Sequence, residues 1–232
     1  MIVSMALFAQ LAAICAPGMP VATLAAIAST ESGFDASAVQ DNTTRRRYVP
    51  LTSDAGIALA THLHATLHHS VDLGLMQINS ANLSPLGMTI ADAFDPCMNL
   101  GAGAAVLKAA YRPPAKGADT QAALLLAISR YNTGDPARGF TNGYVARVLA
   151  AADKVVPVIR QRAHAIRTPE DATVPTVPPN WNVFAHAKHI RAQGAERIDQ
   201  SAPQEPLIVP PVQRAASDAH RPPRLFVRQT PE

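Results

Sequence analysis

The segment Gln121-Ala122-Ala123-Leu124-Leu125-Leu126-Ala127-Ile128-Ser129-Arg130 is apolar around most of a helix's circumference. A helix of this kind is stable only when other elements surround it, so it is expected at the centre of a helical domain, opened by Asp119 or Thr120 as its cap. It runs directly into Tyr131-Asn132-Thr133-Gly134, a polar patch at the end of a buried helix.

How much chain packs around that centre follows from composition. The 232 residues are 48% apolar, enough for a real core. Beyond Arg167 the character changes: eleven of the twenty prolines fall in the last 65 residues, together with the only tryptophan, Trp181. That part lacks the apolar density to fold alone. The expectation is a mainly α domain over residues 1–160 with at most a small β element, then a largely disordered Pro-rich tail over 161–232. A net charge of +3 is too small to argue for nucleic acid.

The stretch Met1–Ala16 is apolar, but no Lys or Arg precedes the apolar run as an export signal requires, and Ile14 stands before Cys15 where a lipoprotein signal needs a small residue. It is also too short to span a bilayer. It reads as an amphipathic first helix, broken by Pro17 and Pro20, and no other segment qualifies as a membrane span. Further helices are expected from Ser53 or Asp54 to about His69, from the Asp95-Pro96 cap to Pro113-Pro114, and from about Asn142 to Lys154. Asp35 to Pro50, with three consecutive arginines, reads as a surface loop.

In Val21–Glu31 the spacing of Leu24, Ile27 and Glu31 puts all three on one helix face. Glu31 therefore projects inward at the C-terminal end of its helix, with Gly33 free to end it in a left-handed turn. Partial burial and the negative end of the helix dipole both disfavour a charged carboxylate and are expected to raise its pKa. A carboxyl kept protonated near neutral pH is what a general acid needs. The competing reading is a solvated helix-terminal carboxylate, or one paired with Arg45, Arg46 or Arg47.

About forty residues on, Gly74-Leu75-Met76-Gln77-Ile78-Asn79 follows a short extended approach, Ser70–Leu73. Gln77 and Asn79 are amides two residues apart, and amides donate and accept at once, which suits the mixed hydroxyl and acetamido groups of a sugar chain. Of the four histidines between His62 and His69, only His64 and His68 have the spacing of two ligands on one metal, and no acidic motif accompanies them; a polar helix face is the better reading. Cys15 and Cys97 are the only cysteines. They form either one disulfide or two buried thiols, and no zinc knuckle.

Glu31-Ser32-Gly33-Phe34, then Gly74 to Asn79, then Tyr131-Asn132-Thr133-Gly134, in this order and on these helical settings, resemble the lytic transglycosylases of the lysozyme-like superfamily. The stretches Cys15-Ala16-Pro17 and Phe94-Asp95-Pro96-Cys97 make the chain look most like the transglycosylase subunit of type IV secretion and conjugation systems. The resemblance covers roughly residues 7–155.

The resemblance implies a lysozyme-like domain that cleaves the β-1,4 bond between N-acetylmuramic acid and N-acetylglucosamine in peptidoglycan, leaving 1,6-anhydro-muramic acid ends. It makes Glu31 both acid and base, with no metal or cofactor. Ser32 then orients the carboxyl or the substrate, Gln77 and Asn79 line the sugar cleft beside Met76, Tyr131 hydrogen-bonds near Glu31, and Asn132 contacts substrate. Asp35 stands where the family often has Asn, and reads as the start of the loop. It further implies a periplasmic enzyme, by an export route the N-terminus does not reveal, whose partners are glycan strands and, through the tail, secretion-system subunits. On this reading Glu31 faces no second carboxylate across the cleft. Two alternatives stand beside it: a hydrolytic muramidase of goose-lysozyme type, and a non-catalytic wall-binding assembly factor.

Overall fold

A computed structural model of the chain describes residues 1–115 and 119–166. Helices dominate: α1 (Met5–Cys15), α2 (Val21–Glu31), α3 (Ser53–Thr61), α4 (Pro96–Ala110), α5 (Thr120–Thr133), the short α6 (Arg138–Thr141) and α7 (Tyr144–Ile166). Among them lies a small antiparallel sheet of β1 (Val39–Asp41), β2 (Arg46–Tyr48), β3 (Val71–Leu73) and β4 (Ile78–Asn79), in the order β2-β1-β3-β4. This is the expected mainly α class with a small β element. No described helix is long and apolar enough to cross a membrane. Residues beyond Ile166, and with them most of the expected tail and Trp181, lie outside the described residues.

The helix ends follow local chemistry. Asp95 caps α4 by accepting the Met98 amide at 2.8 Å, with Pro96 at the first helical position. Asp119 caps α5 through the Gln121 amide at 2.7 Å, and Gly134 closes it at φ 74°. Helix α3 is capped by Thr52 and not by Ser53 or Asp54, through the Ala55 amide at 3.2 Å, and its α-helical part ends at Thr61; His62–Thr66 continue as a wider π-turn.

Two expectations are corrected. Residues 35–50 do not form only a loop, because they carry β1 and β2; strands of three residues are too short to show a period of two. The last helix runs well past Lys154, because Ala152, Val155 and Val156 continue its buried stripe and hold it through Pro157.

The α5 segment sits in the core as expected, with Leu124, Ala127 and Ile128 almost fully buried. Around it pack Leu24 and Ile27 of α2, Leu100 and Leu107 of α4, and Tyr144 and Val148 of α7. The most extensive contact between helices joins α2 to α7. Cys15, closing α1, and Cys97, in the first turn of α4, form a disulfide with their Cα atoms 5.4 Å apart. The two helices approach so closely there that a Cβ on Gly101 would sit 3.0 Å from the Cys15 carbonyl oxygen.

Candidate active site

Glu31 is the last residue of α2, on the stripe that includes Leu24 and Ile27, and only 7% of it is exposed. The helix end around it is fastened from two sides. Arg47 of β2 donates to the carbonyls of Glu31 and Ser32, each at 3.1 Å, so this arginine caps the helix backbone instead of lying solvated in a loop. The Ser32 hydroxyl donates to the Leu75 carbonyl at 2.7 Å, joining the end of α2 to the turn after β3. Ser32 thus positions backbone, and its proton is not directed at the Glu31 carboxyl.

The hydroxyl that meets Glu31 comes from the far end of the domain. Tyr144, the first residue of α7 and 2% exposed, donates to Glu31 Oε1 at 2.6 Å. The family resemblance implied that Tyr131 makes the hydrogen bond near Glu31. In the structure the Tyr131 hydroxyl donates to the Met76 carbonyl at 2.7 Å, which locks α5 to the turn. Nothing local to Tyr144 signals its role; the packing of α2 on α7 supplies it.

The turn itself is held by a residue the motifs did not include. Asn99 of α4, 1% exposed, accepts the Met76 amide at 2.6 Å and donates to the carbonyls of Leu73 at 2.9 Å and Ala93 at 2.8 Å. Gly74 is required beside it: its φ is +72°, and a Cβ would collide with the Ala93 carbonyl oxygen and the Asn99 amide. The Met76 side chain is fully buried against Gly103, so Met76 belongs to the core and not to the cleft.

Gln77 occupies the left-handed region at φ 51°, a strained setting for a residue with a Cβ. Its amide donates to the carbonyls of Gly74 at 2.8 Å and Ala38 at 3.2 Å, which consumes both protons and leaves Oε1 as its remaining acceptor. Asn79 is also committed. In the antiparallel register Asp72 lies opposite Asn79, which puts the two side chains on one face of the sheet. The Asn79 amide donates to Asp72 Oδ1 at 2.7 Å and to the Ser70 hydroxyl at 3.0 Å, while its own Oδ1 accepts the Ala81 amide.

These elements enclose a recess with an empty volume of about 310 Å³, open mouth included. Glu31 lines it with Gln77, Asn79, Tyr131 and Asn132, so five of the residues singled out from the sequence meet in one place. Asn132 is held on one side by the Asn142 amide, 3.3 Å from its Oδ1. Asp72, Asn82, Ile78 and Val106 complete the lining. Glu31 was expected to face no second carboxylate across the cleft; Asp72 is a second carboxylate in the lining, held by Asn79. The signal was present in Ser70-Val71-Asp72-Leu73, but only the strand register shows that this aspartate faces the amide of Asn79. Asp35, by contrast, accepts the Ser37 amide at 3.0 Å and hydroxyl at 2.8 Å and starts the following loop.

Chemically the recess offers a buried carboxyl with a phenolic donor upon it, a second carboxylate fixed by an amide, and neutral amides between apolar side chains. Burial and the C-terminal end of α2 disfavour charge on Glu31, and the hydrogen bond from Tyr144 opposes them. The arrangement suits proton transfer to an uncharged, hydroxyl-rich ligand.

Residues 9–151 match the family described as the transglycosylase SLT domain. The chain is 40% identical over 192 residues to the protein virB1 of Agrobacterium fabrum, covering 82% of this chain and 76% of that one. It is 36% identical over 184 residues to the type IV secretion system protein virB1 of Brucella suis biovar 1, covering 74% of each. No solved structure gives a significant match.

Proposed function

The chain belongs to the transglycosylase SLT family, and from that premise we propose that Glu31 cleaves the bond between N-acetylmuramic acid and N-acetylglucosamine by acting first as an acid and then as a base. The protein is a lytic transglycosylase, a glycosidic-bond lyase acting on peptidoglycan, and its relatives tie it to type IV secretion. Neutral Glu31 gives its proton to the departing glycosidic oxygen as the C1–O bond breaks and positive charge spreads over C1 and the ring oxygen. The resulting carboxylate takes the proton of the muramic acid's C6 hydroxyl, whose oxygen bonds to C1. Glu31 ends protonated as it began, no water is consumed, and the product is a 1,6-anhydro end. The attacking hydroxyl is already part of the substrate, so a second reactant need not be captured.

The observation that carries this reading is the buried Glu31 carboxyl held by Tyr144 in a recess of amides. Tyr144 fixes its orientation. Asp72, fixed by Asn79, stabilises the positive charge that develops at C1. Gln77 Oε1 and Asn132 take hydroxyl or acetamido groups of the glycan. The cell wall opened in this way makes room for a secretion apparatus, which places the enzyme in the periplasm; subunits of that apparatus are the partners proposed for the tail.

Asp72 also favours a second reading, hydrolysis. Most glycosidases work with two carboxylates, and with Asp72 stabilising C1 a water could replace the C6 hydroxyl as the attacking group. Mass analysis of digested, purified peptidoglycan separates the two: anhydro ends support the transglycosylase step, and reducing ends support hydrolysis. Glu31→Gln is expected to abolish lysis in a zymogram while circular dichroism shows an intact fold. Undiminished lysis by that variant would refute both readings, and absence of lysis by wild type and variant alike would leave a wall-binding factor.

A further inference from the structure

Asn82 ends the short helical turn Ser80–Asn82 that follows β4. It lines the Glu31 recess, is only 3% exposed, and its Oδ1 is buried without a hydrogen bond from any described residue. This sets it apart from Asn79, whose Oδ1 already accepts the Ala81 amide. A buried amide oxygen left without a donor destabilises the fold. At the wall of a ligand recess, the group that relieves that cost is one the ligand brings.

The neighbours of Asn82 narrow what the ligand brings. Ile78 and Val106 line the same recess, so it offers aliphatic surface as well as this amide. A sugar hydroxyl would use the amide but leave the apolar walls without a complement. An acetamido group uses both, with its N–H donated to Asn82 Oδ1 and its methyl against the aliphatic side chains. We propose that Asn82 is a specificity-determining residue that hydrogen-bonds the N-acetyl group of a sugar seated in the Glu31 recess. The inference rests on the reading of the recess as a glycan site and adds to it the substituent that this wall selects.

The test compares fully N-acetylated peptidoglycan with the same material after de-N-acetylation, using wild type, Asn82→Ala and Glu31→Gln. Loss of one neutral hydrogen bond is expected to lower kcat/KM of Asn82→Ala on the acetylated polymer by roughly 3- to 10-fold, with no comparable loss on the de-acetylated one. Its melting temperature should match or exceed that of wild type, because an unpartnered buried amide has been removed. Equal losses on the two polymers, or no loss on either, would overturn the proposal. A reading that does not require the Asn82 variant to fold comes from calorimetric titration of Glu31→Gln with chitooligosaccharide and its de-acetylated counterpart: tighter binding of the acetylated form is expected, and equal binding overturns the proposal. Failure of the recess reading is separately visible, because Glu31→Gln would then lyse wall material as well as wild type does.

Discussion

Replacing Asn99 by alanine tests the claim that one buried amide holds the turn on which the site is built. The change removes three hydrogen bonds at once and strands the Met76 amide and the carbonyls of Leu73 and Ala93 in a site where Asn99 itself is 1% exposed. Each buried backbone group left unsatisfied costs about 1–3 kcal/mol, and water entering the vacated volume recovers part of the sum, so the expected loss is roughly 3–5 kcal/mol. At about 2–4 °C per kcal/mol for a domain of this size, the melting temperature should fall by roughly 10 °C. Urea unfolding with the disulfide intact is the assay, read as a shift in midpoint at constant slope. Asn99→Asp should also destabilise, since it keeps an acceptor for Met76 but loses both donors. If Asn99→Ala unfolds within about 1 kcal/mol of wild type, a loss no larger than an ordinary surface change, the argument that Asn99 holds residues 73–77 is wrong.

Tyr144→Phe removes the donor on Glu31 without changing the packed ring; a hydrogen bond to a group that becomes charged is worth about 1.5–3 kcal/mol, so kcat should fall at least tenfold with the fold retained, and an unchanged kcat contradicts the positioning role. Burial raises the pKa of Asp41, but bonds from Thr44, the His69 ring and the Thr43 amide outweigh it and hold the carboxyl below its ordinary 3.8. Its folded pKa is the lower one, so the unfolded chain binds the proton first on acidification; the stability Asp41 contributes is present above 3.8 and is lost as pH falls through the folded value. The urea midpoint of wild type should therefore drop below about pH 4 more steeply than that of Asp41→Asn, and parallel curves would contradict the assignment. Breaking the Cys15–Cys97 link, which spans 82 residues, should cost about 4.5 kcal/mol in the chain-entropy model, measured as the midpoint difference between wild type and the double alanine variant.

What the sequence determined by itself was carried by residues whose meaning is local. The spacing of Leu24, Ile27 and Glu31 put the carboxyl on the inward face, because helical period alone decides which side a residue takes. The caps Asp95-Pro96 and Asp119, the left-handed Gly33 and the apolar α5 segment are legible for the same reason: each depends on neighbours within a turn or two. The strands β1 and β2 were not legible, since three residues cannot establish a period, and Ser70–Leu73 was read as extended without the register that pairs Asp72 with Asn79.

Tertiary structure alone decided which long-range pairs form. The motif pointed to Tyr131 as the hydroxyl near Glu31, but the packing of α2 on α7 gives that contact to Tyr144 while the turn takes Tyr131. Asp72 becomes part of the recess because the β3–β4 register sets it opposite Asn79, and Asn79 changes from a presumed ligand contact into the support that holds it. Asn99 and Asn82 are two asparagines of the same chain, one saturated with backbone partners and the other without any described partner for its buried oxygen. A side chain's type states which hydrogen bonds it can make; where the chain folds back on itself determines which ones are already made, and so which remain for a substrate.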